Sequence, residues 1–252
     1  ILGTLYLRSL LTIDGVTKAA GSADGQVDWT FSAPDLLFDY LSEGQEATLT
    51  YTVRVSDGDG GSSTNTITVT IVGTNDRPVL LTDAYRVGLE NIDQTGDTVN
   101  DQTFSGTLAF LDADRDDAAH TASVTGLTAS GTTAGLDQAA LASALTIDGV
   151  STAINQVAGT VSWSFSSDDS VFDYLASGES VTLAYEVTLD DNVGAANSTG
   201  TTTVYITIFG TNDRPVIGIG DETAALTERT YQTGSTVTLS DSGSLAFSDA
   251  DW

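Results

Sequence analysis

The stretch SVTLAYEVTLD at residues 180–190, together with TTTVYITIF at residues 201–209, determines the fold class of this chain. Its apolar residues recur at every second position, which is typical of a β-strand with one buried face. Most of the polar positions between them are threonine, and β-branched residues suit a pleated, half-buried sheet surface. The same alternation occurs earlier, at residues 49–55 and 67–71. The pattern therefore predicts antiparallel strands in an all-β protein.

The chain repeats itself at a nearly constant interval. LTIDGV at residues 11–16 returns at residues 145–150, displaced by 145 − 11 = 134, and GTNDRPV at residues 73–79 returns at residues 210–216, displaced by 210 − 73 = 137. The difference of 137 − 134 = 3 is an insertion, which falls around the polar loop at residues 192–200. A fixed period of this length indicates an array of similar units of about 137 residues each.

The interval divides the chain into three parts. We assign residues 1–78 to the C-terminal part of a first repeat, residues 79–215 to one complete repeat, and residues 216–252 to the N-terminal part of a third repeat. These parts are called the first piece, the complete repeat and the third piece. One unit can enclose a hydrophobic core, and its short, regularly spaced strands favour tandem Ig-like or cadherin-like β-sandwiches. The lack of methionine, including at position 1, predicts a segment of a longer protein.

Turn residues and aromatic residues refine this prediction. Asp-Gly pairs predict tight turns, because glycine accepts the positive φ that such turns need. They lie at residues 14–15, 24–25, 57–58 and 148–149. Helical spacing predicts a turn of helix within LDQAALASAL at residues 136–145. Trp29 and Trp163 occupy apolar positions of alternating strands, so we expect both to pack in cores.

Charge and composition exclude several classes of partner. Of 252 residues, 8 are Lys or Arg and 35 are Asp or Glu, so the formal net charge is −27. A nucleic-acid partner needs a basic surface, which this chain cannot build. The sequence has no cysteine for a disulfide or a thiolate metal site, and no apolar run long enough for membrane insertion. With 40% apolar residues the chain is still expected to fold.

We do not expect an enzyme. A Ser-His-Asp site would depend on His120, the only histidine, which we interpret as a solvated loop residue. The paired carboxylates of a glycosidase need a cleft in which one pKa is raised. The acidic residues of this chain lie instead in predicted turns.

The aspartates gather in turns and at the repeat boundaries. Calcium takes roughly six to eight oxygen ligands, and closely spaced Asp and Asn residues in loops can supply them. Three kinds of cluster recur at the repeat interval. They are Asp57 with Asp59 and, in the next unit, Asp190 with Asp191; Asn75-Asp76 and Asn212-Asp213 at the joints; and Asp112 with Asp114 and Asp249 with Asp251. Aspartate is common in turns without any metal, but this recurrence favours calcium ligands.

The run FDYLASGESVTLAYEVTLDDNVG at residues 172–194, with TVYITIFGTNDRPV at residues 203–216, resembles the VCBS-type, cadherin-like repeat of large bacterial surface adhesins. The resemblance covers the whole chain in its three parts. It implies a cadherin-like or Ig-like sandwich, repeated many times in giant proteins that type I secretion exports to the cell surface. Such proteins serve adhesion and biofilm formation, so the resemblance implies an extracellular, cell-surface location.

The resemblance also implies calcium at the joints between repeats. Cadherin-like joints take ligands from the linker, from a DAD sequence and a later strand of the next unit, and from acids of the preceding unit. The linkers match Asn75, Asp76, Asn212 and Asp213, and the DAD sequences match Asp112, Asp114, Asp249 and Asp251. The later strand matches Asp57 and Asp190, the turn of the preceding unit matches Asp39 and Asp173, and an early strand matches Glu90 and Glu228.

The chain departs from the cadherin pattern in two places. Leu41 and Leu175 stand where the turn of the preceding unit would carry a glutamate ligand. Arg77 and Arg214 follow the linker acids, where a further ligand would stand. An arginine there offers a second way to neutralise the acids, by pairing with them directly.

Two functional hypotheses follow from these patterns. The first is an extracellular structural repeat of a surface adhesin or fibre, in which calcium joins neighbouring repeats into a stiff spacer. The second is a filament subunit, in which the split repeats of two copies complete one another by β-strand complementation. A third class, an adhesive tip for host or biofilm surface ligands, needs a shaped pocket, and tandem near-copies favour a spacer instead.

Overall fold

The computed structural model describes residues 4–90, 102–115, 120–152, 157–228, 230, 233–234 and 236–251. The strands of the first piece are β1 (Leu11–Lys18), β2 (Gly25–Phe31), β3 (Glu46–Ser56) and β4 (Ser62–Val72). Those of the complete repeat are β5 (Val79–Leu80), β6 (Ala84–Leu89), β7 (Gln102–Leu111), β8 (Thr121–Gly131), β9 (Leu145–Thr152), β10 (Ala158–Ser167), β11 (Ser180–Asp190) and β12 (Thr199–Phe209). The third piece has β13 (Val216–Ile217) and β14 (Phe247–Ser248). The prediction of an all-β chain is confirmed.

The complete repeat is a sandwich of two four-stranded sheets. One sheet has the order β5-β7-β10-β9 and the other the order β6-β12-β11-β8. All neighbours are antiparallel except β6 and β12, which run parallel from Ala84 beside Val204 to Leu89 beside Phe209. The beginning of the complete repeat therefore contributes one strand to each sheet, β5 to one and β6 to the other.

The core lies between the two sheets and follows the alternation of the sequence. Its inward residues come chiefly from β10, β11 and β12, and Trp163 at its centre is fully buried. Arg86 lies over the Trp163 ring, 5.3 Å from its centroid. Gly106 approaches the ring so closely that an added Cβ would lie 2.7 Å from it. The predicted core position of Trp163 is confirmed.

Two of the four predicted Asp-Gly turns are wrong. Asp14-Gly15 lies inside β1 and Asp148-Gly149 lies inside β9, and the pairing of each strand shifts there by one residue. Both sites are β-bulges, because the partner strand continues past the extra residue. The turn at Asp57-Gly58 is confirmed, and Gly58 has a φ of +83°.

Helices are short and equivalent in the two units. The predicted helical turn is confirmed as α2 (Gln138–Leu141), which Asp137 caps by accepting from the backbone N–H of Ala139 and Ala140. The sequence did not predict its counterpart, α1 (Thr4–Ser9). In the part of the chain that the structure describes, no helix is long and apolar enough to cross a membrane.

The first and third pieces contain separate halves of the same architecture. β1 pairs with β2 and β3 with β4, as β9 pairs with β10 and β11 with β12. β13 pairs with β14 in the register of β5 with β7, since Val216 lies opposite Ser248 as Val79 lies opposite Leu111. The division of the chain at residues 78 and 215 remains a prediction.

Apolar residues of these halves are exposed where the complete repeat buries their equivalents. Trp29 is 45% exposed, whereas its equivalent Trp163 is 0% exposed. Phe247 is 73% exposed, whereas Phe110 is 1% exposed. Within the described residues, Trp29 is therefore only partly buried, although we expected it to pack in a core.

Candidate metal centre

The two linkers meet the complete repeat at its opposite ends. We call the linker at residues 73–79 with its surroundings the first joint, and the linker at residues 210–216 with its surroundings the second joint. β7 begins at Gln102, which bonds to Asp169 of the second joint, and ends just before Asp112 of the first joint. Ten residues of strand at about 3.3 Å each separate the joints by roughly 33 Å.

Three carboxylates come together at the second joint. Glu90 follows the end of β6, and Asp169 and Asp173 belong to the turn before β11. One carboxylate oxygen from each lies within 4.8 Å of the other two, and all three residues are buried. Among the described residues, no other group of three acids lies close enough together to share one metal ion.

Local sequence explains why the turn places Asp173 at the edge of the core. Residues Asp169–Val171 form a 3₁₀ turn, and the Phe172 N–H donates to the Asp169 carbonyl at 2.8 Å. Phe172 and Leu175 are fully buried and anchor the turn in the sandwich. Gly210 then lets the chain leave β12 across this turn, because a Cβ there would lie 2.1 Å from the Leu175 carbonyl oxygen.

Glu90 is buried in this cluster and has a raised pKa. It is 1% exposed, and its Oε2 accepts from the backbone N–H of Thr211 at 2.7 Å and the Thr211 hydroxyl at 2.8 Å. Burial is the largest of the causes that together raise the Glu90 pKa to about 7; the charges of Asp213 and Asp169 add to the shift, and the Thr211 hydrogen bonds oppose it. Its Oε1 is buried and accepts no hydrogen bond from the described residues. The carboxyl group is therefore partly protonated near neutral pH.

The linker adds further acids to the second joint. Asp213 is buried, and its backbone N–H donates to Asp251 Oδ2 at 3.0 Å. This bond holds the DAD sequence of the third piece against the linker. Asn212 is exposed, and its side-chain amide donates to the Asp213 carbonyl.

The first joint brings together most of its predicted ligands. The Asp76 N–H donates to Asp114 Oδ2 at 2.7 Å, and the Asn75 side-chain amide donates to Asp191 Oδ2 at 3.0 Å. Burial raises the Asp76 pKa, and the charges of Asp39, Asp112 and Asp35 raise it further. Linker, DAD sequence and preceding turn thus share one acidic site.

Several predicted ligands lie elsewhere. Asp57 and Asp59 form an exposed loop at the end of the first piece opposite its linker, where the Asp59 N–H donates to Asp57 Oδ1. Asp190 ends β11 and accepts from the Asn192 N–H, so its neighbour Asp191 is the residue that faces the linker. Asp249 and Glu228 are exposed, and Glu228 lies outside any strand.

The structure does not pair the linker arginines with the acids. Within the described residues, neither Arg77 nor Arg214 forms an ion pair, and the recorded pair is that of His120 with Asp112. Leu41 and Leu175, which stand where the sequence resemblance implies a glutamate, are buried and anchor their turns. Within the described residues, the linker arginines therefore do not neutralise the joint acids by direct pairing.

The comparisons with known proteins place few limits on this chain. No family model matches it, and no curated protein matches it. Among solved structures it is similar to zebrafish RET cadherin-like domains 1 to 4, at 14% sequence identity and a TM-score of 0.31. The match covers 81% of this chain, and the chain spans 42% of that structure.

Sequence reasoning missed three residues of the joints. Asp169 is fully buried in the carboxylate cluster, and Gln102 Nε2 donates to it at 2.6 Å. The interpretation of His120 as a solvated loop residue is wrong. Its side chain is 5% exposed, its Nε2 lies 2.8 Å from Asp112 Oδ2, and its ring packs against Phe110. Asp35 recurs as Asp169 at the repeat interval of 169 − 35 = 134, and this recurrence could have identified Asp169.

Proposed function

We propose that this chain is an extracellular, cadherin-like structural spacer of a bacterial surface adhesin, and that calcium bound at the joints holds successive sandwiches in line. The observation that carries the proposal is the buried cluster of Glu90, Asp169 and Asp173 beside the second linker. The bacterial adhesin and its role in biofilms rest on the sequence resemblance alone.

The dimensions of the cluster suit a calcium ion. Calcium lies about 2.3–2.6 Å from its oxygen ligands, so two ligands on opposite sides of one ion are at most about 5 Å apart. The three carboxylate oxygens fall within 4.8 Å of one another, which fits one coordination sphere. Asp213 and Asp251 adjoin the cluster through the linker and could complete a shell rich in oxygen.

The electrostatics of the cluster also favour a cation. Ionising all three buried carboxylates at such short distances raises the free energy of the folded protein, because each carboxylate loses hydration and repels the others. The raised Glu90 pKa is the direct sign of that cost. A divalent cation removes both the repulsion and the need for a proton, and so ties the linker to the acids on either side of it.

Calcium titration by calorimetry tests the proposal on the 252-residue chain. We expect binding that weakens by about tenfold from pH 8 to pH 6, because below its pKa of about 7 Glu90 must first release a proton. Asp173→Asn removes one charged ligand and is expected to weaken binding at the second joint by about tenfold or more.

The matched control is Asp148→Asn, because Asp148 is exposed on β9 and accepts from the Ser164 hydroxyl, remote from both linkers. Its calcium isotherm should equal that of the unchanged chain. Absence of calcium binding at pH 8, or identical isotherms for the two variants, would contradict the proposal.

A filament subunit is the second candidate, and a specific observation favours it. The first piece carries the equivalents of β9 to β12, and the third piece carries those of β5 and β7, in the register of the complete repeat. Phe247 and Trp29 are exposed, and their equivalents Phe110 and Trp163 share one core in the complete repeat. Because the two pieces lie at opposite ends of the complete repeat, the partner would be a second copy.

Sedimentation velocity separates this candidate from a spacer without self-association. We expect the chain to form species that grow with protein concentration, and Phe247→Asp to return it to a monomer, because the charge cannot enter the apolar face. The exposed Leu36→Asp in the turn of the first piece serves as a charge-matched control. A concentration-independent monomer rules the filament out.

A further inference from the structure

The loop between β11 and β12 of the complete repeat is longer than its equivalent between β3 and β4 of the first piece. In the first piece the loop closes when the Asp57 N–H donates to the Gly61 carbonyl at 3.2 Å. In the complete repeat the Asp191 N–H donates to the Ser198 carbonyl at 3.0 Å. Eight residues thus replace five, and the three additional residues are the insertion seen in the sequence. We call residues 191–198 the latch loop.

The latch loop reaches the linker of the first joint. The Asn197 side-chain amide donates to the backbone carbonyl of Asn75, and Asp191 Oδ2 accepts from the Asn75 side-chain amide at 3.0 Å. The Asn75 N–H donates to Glu43 Oε2 of the first piece, also at 3.0 Å. Asn75 is buried, so its donors and its carbonyl are held between the two units.

Close backbone packing supports these hydrogen bonds. Pro78 of the linker passes Gly200 at the start of β12, where an added Cβ would lie 2.1 Å from the Pro78 carbonyl oxygen. The equivalent residue of the first piece is Ser63, since 200 − 137 = 63. The complete repeat, which contacts the first linker, therefore has both the glycine and the inserted residues, whereas the first piece has neither.

We propose that the latch loop, through Asn197, positions the linker of the first joint without a cation, so that this joint keeps its geometry when calcium is absent. The inference rests on the proposed spacer function, in which the geometry of a joint matters, but it concerns contacts made by neutral amides. Calcium would then bind to a first joint that is already aligned.

Distance measurements between spin labels test this on the full chain in EDTA. Because the sequence has no cysteine, Thr50→Cys on β3 and Thr128→Cys on β8 give two unique labelling sites, both exposed. Electron–electron double resonance then reports the spread of distances across the first joint. We expect a narrow distribution for the otherwise unchanged chain and a broader one for Asn197→Ala, which loses the amide donor.

Two further variants secure the interpretation. Replacing residues 191–198 by the five-residue sequence DGDGG of residues 57–61 removes the insertion but keeps the leading aspartate, and should broaden the distribution as Asn197→Ala does. Asn65→Ala, at an exposed position of β4, is the matched control and should leave the distribution narrow. Circular dichroism checks that the variants keep their strands.

An unchanged distribution for Asn197→Ala in EDTA would overturn the latch. That outcome is independent of calcium binding, which is measured separately by calorimetry. A chain that binds no calcium but shows the broadening retains the latch and loses the proposed function; the reverse result retains the function and loses the latch.

Discussion

Trp163→Ala is expected to lower the free energy of unfolding of the complete repeat by about 3–5 kcal/mol, because it removes a fully buried indole and leaves a cavity. The surrounding residues cannot close that cavity easily. Gly106 and Arg86 both approach the ring, and both belong to strands whose pairing is fixed by the sheets. Urea denaturation followed by circular dichroism measures the loss without depending on tryptophan fluorescence.

Trp29→Ala is the matched control, since Trp29 occupies the equivalent position of the first piece. Its side chain is 45% exposed within the described residues, so we expect a loss of roughly 1 kcal/mol, an ordinary value for a point substitution. Trp163→Phe, which keeps an aromatic ring, should fall between the two. Equal losses for Trp29→Ala and Trp163→Ala would mean that the first piece and the complete repeat bury this position to the same degree.

Calcium is expected to raise the melting temperature of the chain and to straighten it. At a free concentration of about 100 times Kd, one bound ion stabilises the folded state by about 2.7 kcal/mol. For a unit of this size that corresponds to a shift of roughly 5–10 °C. Calorimetric melting with calcium and with EDTA measures the shift, and small-angle X-ray scattering measures the accompanying change in maximum dimension.

Screening by salt must be separated from binding, because a chain with a net charge of −27 gains stability from ions of any kind. Potassium chloride at matched ionic strength supplies that control. Magnesium, which demands a smaller octahedral site, should produce a weaker effect than calcium. If potassium chloride raises the melting temperature as much as calcium does, the joint acids respond to screening and not to a bound ion.

Alternation in the sequence was sufficient to predict β10, β11 and β12 and their equivalents β2, β3 and β4. Residues 161, 163 and 165 of β10 are buried on one face as their spacing required. The Asp-Gly pairs were ambiguous, because the same dipeptide serves a hairpin turn and a β-bulge. At Asp148-Gly149 the outcome depends on β10, which continues beside both halves of β9, and local sequence does not contain that information.

The candidate site was predicted in part. Linker and DAD residues could be found because they recur beside each boundary, and the structure brings Asp76 to Asp114 and Asp213 to Asp251. The contact of Gln102 with Asp169 joins residues 67 positions apart, so sheet order alone creates it. The burial of His120 depends on its contacts with Asp112 and Phe110, and no feature of its own polar segment indicates it.

The parallel pairing of β6 with β12 has a mechanical consequence. Tension transmitted through the first linker pulls on the segment that leads into β6, and tension through the second linker pulls on the far end of β12. Because the two strands run in the same direction and are neighbours, such a load acts along them in shear. Their hydrogen bonds must then yield together, whereas a hairpin pulled at its open end would release them one at a time.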